Sequence, residues 1–141
     1  MKSETRKLRT LFVIDASTIV ELLRRTRAGR RVARLIRGGT LAAPAHVDAE
    51  VLSTLARLAR EDPRDEPLVE GRVAHLSRAP ITRYPCWALT TPAWRLRKNV
   101  SAGDGLYVAL ARRLGAELVT GDRELAGVPP SILGVPVHLI R

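Results

Sequence analysis

The sequence predicts an α/β domain with a mostly parallel central sheet. Short apolar runs alternate along the chain with segments whose apolar residues recur at helical spacing. Such alternation is typical of strands that are joined through helices and pair in parallel. The chain has 141 residues, of which 45% are hydrophobic, and this length suits a single domain covering residues 1–141. We find no internal repeat, linker or low-complexity segment.

The first predicted strand and helix follow from the segment that begins at residue 11. Leu11–Ile14 is a continuous apolar run, which is typical of a buried strand, and it ends at Asp15. A helix is predicted to follow as far as about residue 25. We expect Ser17 or Thr18 to be its N-cap, because Thr18 and Glu21 have the spacing of a capping box.

The elements between residues 27 and 60 are predicted from periodicity and from glycine. A second helical pattern covers residues 27–36 and is ended by the pair Gly38-Gly39. Residues 40–43 form a short strand candidate before Pro44. Residues 45–60 give the clearest helix, because apolar side chains recur there at spacings of three and four. These apolar residues are Val47, Val51, Leu55 and Leu58.

The second half of the chain continues the alternation. Two prolines among charged residues at 61–67 predict a loop. The remaining predicted elements are a helix at 68–77, a short strand near Ile81, a helix at 92–97, a helix from Asp104 to Leu114 closed by Gly115, a strand at Glu117–Thr120, and a last strand at Val135–Ile140.

Four acidic residues stand where an α/β sheet gathers functional groups, at or near the carboxyl ends of strands. Asp15 and Asp122 follow predicted strands. Asp104 opens a predicted helix, where the partial positive charge of the helix start favours an anion. Glu50 lies about 60° from Val47 on a helical wheel, beside the apolar stripe, so its carboxylate needs a partner. Taken singly, each acid also fits a cap, a turn or a solvated rim.

Together the four acids predict a divalent-cation site. Carboxylates about 5 Å apart would repel one another by roughly 3 kcal/mol per pair at an effective dielectric constant near 20. A cation resolves this repulsion, and hard oxygen ligands select Mg²⁺ or Mn²⁺. Such a site can orient a water for in-line attack on a phosphodiester and shield the charge that develops on the leaving oxygen.

Basic residues outnumber acidic ones, with 24 Lys and Arg against 14 Asp and Glu and a formal net charge of +10. This charge attracts polyanions, nucleic acid first, although frequent Arg also fits a GC-rich genome. Trp87 and Trp94 have basic neighbours and either stack on single-stranded RNA or belong to a core or an interface. A dense basic run either follows a phosphate backbone or forms a solvated face; it consists of Arg24, Arg25, Arg27, Arg30 and Arg31.

Several other functional classes find no support in the sequence. No stretch approaches the roughly 20 apolar residues of a membrane span, and the run at 11–14 is too short for a secretory leader. The single Cys86 and three histidines without zinc-type spacing predict neither an internal disulfide nor a zinc site. We therefore expect a cytoplasmic protein with no membrane partner. His46, one helical turn before Glu50, is a candidate for a role near the acids.

Four stretches of the chain carry the acids in a characteristic order and spacing. They are Phe-Val-Ile-Asp-Ala-Ser-Thr-Ile-Val (12–20), Pro-Ala-His-Val-Asp-Ala-Glu-Val-Leu-Ser-Thr-Leu (44–55), Ser-Ala-Gly-Asp-Gly-Leu-Tyr-Val-Ala-Leu-Ala (101–111) and Leu-Val-Thr-Gly-Asp-Arg-Glu-Leu (118–125). As an ordered set they resemble the PIN-domain family, and most closely the VapC-type toxin ribonucleases of bacterial toxin–antitoxin systems.

The resemblance implies a three-layer α/β/α fold and metal-dependent cleavage of RNA with Mg²⁺ or Mn²⁺. Asp15 and Asp104 would be the principal metal-contacting acids. Glu50 and Asp122 would complete the catalytic pocket, directly or through water.

The resemblance also concerns the residues around the acids. Ser17 and Thr120 occupy positions where the family often has supporting hydroxyls, although a helix cap and a strand-end residue explain them equally well. The chain departs from the family at Asp104, which is flanked by Gly103 and Gly105. Because glycine weakens a helix, we expect a loosened helix start there.

The function implied by the resemblance is that of an endoribonuclease toxin that hydrolyses RNA phosphodiester bonds. Its partners would be an RNA substrate and a cognate antitoxin protein, and the family suggests a homodimer. The main alternative is a non-catalytic basic RNA-binding module with a PIN-like fold, which the loss of one acid would favour. A second alternative is a partner-binding protein whose basic face docks an acidic, antitoxin-like chain.

Overall fold

One five-stranded sheet organises the chain. The structure, a computed structural model, describes residues 9–141, so residues 1–8 of the predicted domain lie outside it. The strands are β1 (Leu11–Ile14), β2 (Thr40–Pro44), β3 (Ile81–Tyr84), β4 (Glu117–Thr120) and β5 (Val137–Leu139). Their order is β3-β2-β1-β4-β5, and each neighbouring pair is parallel. The predicted parallel sheet is therefore confirmed.

Helices fill the connections between these strands. They are α1 (Ala16–Arg24), α2 (Arg27–Leu35), α3 (Val47–Glu61), α4 (Glu66–Arg78), α5 (Thr90–Arg95), α6 (Ala102–Leu114), α7 (Arg123–Ala126) and α8 (Pro130–Leu133), with a 3₁₀ turn at Cys86–Leu89 before α5. The sequence did not predict α7, α8 or the 3₁₀ turn. No helix within residues 9–141 is long and apolar enough to cross a membrane.

The direction of the connections places the helices in two layers. The chain passes from β1 to β2 and β3 toward one edge, then crosses back to β4 and β5. Connections between parallel strands are right-handed, so α1–α4 cover one face of the sheet and α5–α8 the other. Central strand residues such as Val13 and Leu118 are fully buried, as a sheet covered on both faces requires. The three-layer α/β/α fold is confirmed.

The apolar stripe predicted on α3 packs into the core. Val47, Val51 and Leu55 are fully buried, as are Val108 and Leu110 on α6. Burial of such a side chain contributes roughly 1.5–3 kcal/mol to stability. Two of the four predicted acids, Glu50 and Asp104, lie on these two helices, which are anchored by the same core.

The predicted capping box at the start of α1 is wrong. α1 begins at Ala16, and its N-cap is Asp15, whose carboxylate accepts a hydrogen bond from the Thr18 amide at 2.9 Å. An ionised carboxylate at this position is a stronger acceptor than a hydroxyl and is favoured by the helix dipole. The Glu21 side chain instead accepts a hydrogen bond from Thr26, the N-cap residue of α2.

Candidate active site

Asp15 and Asp122 stand where the strand order of the sheet reverses. β1 and β4 are neighbours in the sheet, with Ile14 in register with Val119. After β1 the chain continues toward one edge of the sheet, and after β4 it continues toward the other. Asp15 directly follows β1, and Asp122 lies two residues beyond β4. In open α/β sheets, the crevice at such a reversal is the usual position of a binding site.

Asp15 is buried, with 4% of its surface exposed, and both of its carboxylate oxygens accept hydrogen bonds. Oδ1 accepts from the Ser17 hydroxyl at 2.8 Å and from the amide and hydroxyl of Thr18 at 2.9 and 2.7 Å. Oδ2 accepts from the Thr120 hydroxyl at 2.5 Å. Hydrogen bonds to an ionised acceptor are among the stronger ones, so these donors fix the carboxylate in one orientation.

The first turn of α1 and the loop after β4 are also joined by hydrogen bonds. The Ser17 hydroxyl accepts a hydrogen bond from the Gly121 amide at 3.0 Å, and the Thr120 hydroxyl accepts one from the Asp122 amide at 3.0 Å. The Asp122 carboxylate caps α7 by accepting from the Glu124 amide at 2.9 Å. Ser17 and Thr120, the two hydroxyls singled out in the sequence, therefore both contact Asp15 and connect it to the β4 loop.

Glu50 finds its partners in a tyrosine and a histidine. Glu50 Oε1 accepts a hydrogen bond from the hydroxyl of Tyr107 on α6 at 2.5 Å and lies 3.1 Å from His46 Nε2. The interaction with His46 lowers the pKa of Glu50; partial burial opposes this effect, and the Tyr107 hydrogen bond adds to it. Burial, reinforced by Glu50, raises the pKa of Tyr107 far above its ordinary value, so Tyr107 remains a neutral donor.

His46 also connects Glu50 to the 3₁₀ turn that follows β3. Its Nδ1 lies 3.6 Å from Cys86 Sγ, and its ring centroid lies 4.9 Å from that of Tyr107. His46 therefore lies near the acids, where its position one helical turn before Glu50 made it a candidate.

Asp104 lies in the first turn of α6 and does not open the helix as predicted. α6 begins at Ala102, and the Ser101 hydroxyl is the N-cap, accepting from the Asp104 amide at 3.3 Å. Burial raises the pKa of Asp104, and the negative charges of the other three acids raise it further. The surroundings of Asp104 therefore disfavour its ionised, negatively charged form.

The two glycines beside Asp104 lie within α6. A Cβ atom on Gly105 would lie 3.0 Å from the Ala93 carbonyl oxygen, whereas a Cβ on Gly103 would meet nothing within 4 Å. Gly105 thus permits the close approach of α5 to the helix that carries Asp104.

All four predicted acids line one cleft of about 480 Å³, together with Ser17 and three arginines, Arg24, Arg57 and Arg141. Across the described range 9–141, however, no three His, Cys, Asp or Glu side chains are grouped closely enough to hold a metal ion as they stand. The acids share the cleft without forming the tight cluster expected from the sequence, because hydrogen bonds hold Asp15 and Glu50 against their own partners.

The donor set of the cleft nevertheless suits a hard divalent cation. Its acidic groups offer oxygen atoms only, and Mg²⁺ usually binds one or two carboxylates while keeping several waters. A cage of three carboxylates is therefore unnecessary. Burial and the three other acids raise the pKa of Asp104, so a cation bound beside it would favour its ionised form. The residues present fit Mg²⁺ or Mn²⁺.

The predicted basic run is divided between two helices. Arg24 ends α1, lines the cleft and lies 3.8 Å from Asp65 Oδ2. Arg25 has a left-handed backbone with φ of 54° and ends the helix, and its carbonyl accepts from Arg30 at 3.0 Å. Of the run, only Arg24 lines the cleft; the exposed members are Arg25, Arg27, Arg30 and Arg31. Their contact with RNA stays a prediction.

The sequence did not single out Tyr107, Arg57 or Arg141, and it indicated Thr18 only as a helix cap. Thr18 and Tyr107 stand three residues after Asp15 and Asp104, a spacing that places side chains on neighbouring positions of a helix. That spacing could have indicated both. The arginines carry no comparable local signal, because they reach the cleft only through the packing of α3 and of the chain beyond β5.

Comparison with known proteins identifies the family. The PIN domain matches residues 12–129. Ribonuclease VapC12 of Mycobacterium tuberculosis is 42% identical over 117 residues, which cover 82% of this chain and 90% of that protein. Ribonuclease VapC3 of the same organism is 41% identical over 121 residues, covering 84% and 88% respectively.

A solved structure agrees with this result at the level of fold. A chain in the crystal structure of VapBC2 from Rickettsia felis bound to a DNA fragment superposes with a TM-score of 0.62 and 14% identity, covering 92% of this chain and 98% of that one. The chain belongs to the PIN-domain family, and the resemblance found in the sequence is confirmed.

Proposed function

We propose that this chain is a metal-dependent endoribonuclease and the toxin of a toxin–antitoxin pair. The observation that carries the proposal is the single cleft lined by Asp15, Glu50, Asp104 and Asp122 at the reversal of strand order. Relatives named ribonuclease VapC align with more than four-fifths of the chain and support it. A protein that only binds RNA gains nothing from carboxylates at its cleft, since these repel phosphates unless a cation intervenes.

The proposed roles of the acids follow from how each is held. Asp15 and Asp104 would hold Mg²⁺ or Mn²⁺, with Glu50 and Asp122 completing the site directly or through water. The bound cation would shield the charge that develops on the phosphate during cleavage. Glu50 has a lowered pKa and stays ionised at neutral pH, so it can accept a hydrogen bond from the attacking water and orient it.

The proposal includes a protein antitoxin that covers the cleft. An Arg or Lys from such a partner would neutralise the acids in the place of the cation. A cytoplasmic location and a homodimer are further parts of the proposal, the first resting on the composition and the second on the family likeness.

Asp104→Asn tests the proposed chemistry while keeping the size of the side chain. Single-turnover cleavage of RNA in Mg²⁺ or Mn²⁺ should fall by more than about 100-fold, the upper range seen when groups that support a metal site are lost. RNA affinity measured by filter binding should hold or rise slightly, because it comes mainly from Lys and Arg. The control is Asp62→Asn, a partly exposed loop residue outside the cleft, which should cleave normally.

Reversing two charges in the basic run gives the complementary result. Arg30→Glu combined with Arg31→Glu should weaken RNA binding and reduce its salt dependence while leaving the acids in place. If Asp104→Asn cleaves at the wild-type rate, the four-acid site is wrong, and the non-catalytic RNA-binding module becomes the better interpretation.

The toxin role has a separate test in living cells. Expression of the chain alone should arrest growth, and co-expression with the product of the adjacent gene should relieve the arrest. Harmless expression of a protein that cleaves RNA freely when purified would refute the toxin role and leave the nuclease.

A further inference from the structure

A second, mostly apolar hollow lies at the edge of the sheet beyond the acidic cleft. Its volume is about 210 Å³, below the roughly 300–1,000 Å³ of ordinary small-molecule sites. The residues that line it include Tyr84 at the end of β3, Trp87 in the 3₁₀ turn, Leu110 on α6 and Arg113 at the end of α6. Trp87 is 79% exposed, so a large flat indole faces solvent beside an arginine.

Side-chain contacts and helix α6 connect the surroundings of the hollow to the acidic cleft. The residue before Trp87 is Cys86, whose Sγ lies 3.6 Å from His46 Nδ1, and His46 Nε2 lies 3.1 Å from Glu50. Helix α6 supplies Asp104 to the cleft and Leu110 to the hollow, about 9 Å apart along the helix axis. Helix α6 therefore contributes residues to both the cleft and the hollow.

The charge around the hollow favours a polyanion. No Asp or Glu occurs between Glu70 and Asp104, or between Asp104 and Glu117. The 3₁₀ turn, α5 and α6 beyond its first turn thus carry basic but no acidic side chains. An acidic partner protein would also be attracted, but a flat indole beside a guanidinium matches one nucleotide: the base stacks and the phosphate pairs with Arg113.

We propose that the hollow beside Trp87 binds an unpaired nucleobase of the RNA strand that lies in the acidic cleft. This inference rests on the proposed endoribonuclease function and specifies its substrate as single-stranded at this position. A base within a duplex has both faces stacked on its neighbours, so it cannot stack on Trp87 without leaving the helix.

Trp94 provides a matched comparison within the same basic segment. It is 61% exposed, but one face of its ring is covered by the Arg97 guanidinium, 4.4 Å from the ring centroid. Trp94 does not line the hollow. The proposal therefore assigns base stacking to Trp87 and not to Trp94.

The experiment measures RNA binding in EDTA, so it does not depend on cleavage. Affinities for a single-stranded oligonucleotide, for the same sequence as a duplex and for an abasic strand of equal length are compared among wild type, Trp87→Ala and Trp94→Ala. Trp87→Ala should weaken binding of the single strand by between about 5-fold and 100-fold, the range of base–aromatic stacking. Its affinity for the abasic strand should be unchanged, and Trp94→Ala should change each affinity by less than about 2-fold.

Fluorescence gives a direct second measurement. The chain has two tryptophans, so Trp94→Phe leaves Trp87 as the only indole. Its emission should be quenched by the single strand and not by the abasic strand.

Several outcomes would overturn the inference. One is a Trp87→Ala variant that binds the single strand like wild type; another is an equal loss in Trp94→Ala, which would indicate a diffuse surface. Normal RNA binding with weakened self-association in sedimentation would identify a protein interface instead. A protein that binds through Trp87 in EDTA but never cleaves with metal would keep this inference and refute the nuclease, so the two failures are distinguishable.

Discussion

Asp15 and Asp104 line the same cleft and are the two acids predicted to contact the metal, but the fold holds them in different ways. Asp15 is buried beside β1 and accepts hydrogen bonds from three hydroxyls and one amide. Asp104 lies on α6, where burial and the neighbouring acids raise its pKa. The difference indicates that hydrogen bonds from the fold hold the Asp15 carboxylate in place, whereas the surroundings of Asp104 oppose its negative charge, which a bound cation would compensate.

The largest expected effect on stability separates the two residues. Asp15→Ala removes a helix cap, worth about 1 kcal/mol, and leaves buried hydroxyls without their acceptor. We expect the free energy of unfolding to fall by about 2–4 kcal/mol in urea denaturation with EDTA. Asp104→Ala should cost far less, and Asp122→Ala, which removes only the cap of the short helix α7, should lie between them. An equal loss for Asp15→Ala and Asp104→Ala would contradict the comparison.

A smaller effect is expected at Glu50, the other acid carried by a helix. Tyr107→Phe removes the hydroxyl that donates to Glu50 at 2.5 Å, so the pKa of Glu50 should rise. Cleavage should fall by about 10-fold, the lower range for loss of a group that orients a metal-site ligand. The acid limb of the profile of kcat/KM against pH should also move to higher pH. The control is Ser77→Ala, which also removes one hydroxyl but lies at an exposed position of α4 outside both the cleft and the hollow. An unmoved acid limb in Tyr107→Phe would show that Tyr107 does not act through Glu50.

The sequence predicted the elements whose pattern is local. Leu11–Ile14 is a continuous apolar run, and Glu117–Thr120 contains three successive apolar or β-branched residues; the structure confirms both strands at their predicted bounds. The helices α7 and α8 have four residues each, too few to show a period, so they were missed. The start of α1 was misplaced because the sequence alone does not show that the Asp15 carboxylate turns back onto the helix that follows it.

The acids of the site were recognised for a similar reason. Their positions after strands and at a helix start can be read locally, but their partners cannot. The Thr120 hydroxyl reaches Asp15 across 105 positions of sequence, and the Tyr107 hydroxyl reaches Glu50 across 57. Thr120 was anticipated only through the family resemblance. The contact of Tyr107 with Glu50 was not anticipated, because it joins helices from the two opposite layers and depends on the tertiary fold.

The smallest expected effect concerns stability without metal, where substitutions of Asp104 and Glu50 should shift the melting temperature in opposite directions. This difference is also the sharpest test of the comparison. The pKa of Asp104 is raised in the fold from an ordinary value near 3.8. The stability linked to this group is therefore present at pH below that value and is lost as pH rises through the folded pKa. The pKa of Glu50 is lowered from an ordinary value near 4.5. Its contribution is present above that value and is lost as pH falls through the folded pKa.

At pH 7 in EDTA, Asp104→Asn should therefore raise the melting temperature and Glu50→Gln should lower it, each by about 1–2 °C because both groups are partly solvated. Near pH 3 the difference for Asp104→Asn should shrink, since the wild-type Asp104 carboxyl is then largely protonated, and the difference for Glu50→Gln should shrink as pH falls through the lowered pKa of Glu50. Mg²⁺ or Mn²⁺ should raise the melting temperature of wild type more than that of Asp104→Asn, because the ion binds only the folded state and loses a ligand in the variant. Ca²⁺ and NaCl at matched ionic strength separate this effect from screening. A drop in melting temperature for Asp104→Asn in EDTA would mean that its carboxylate is already compensated by the fold, and the distinction between the two halves of the site would fail.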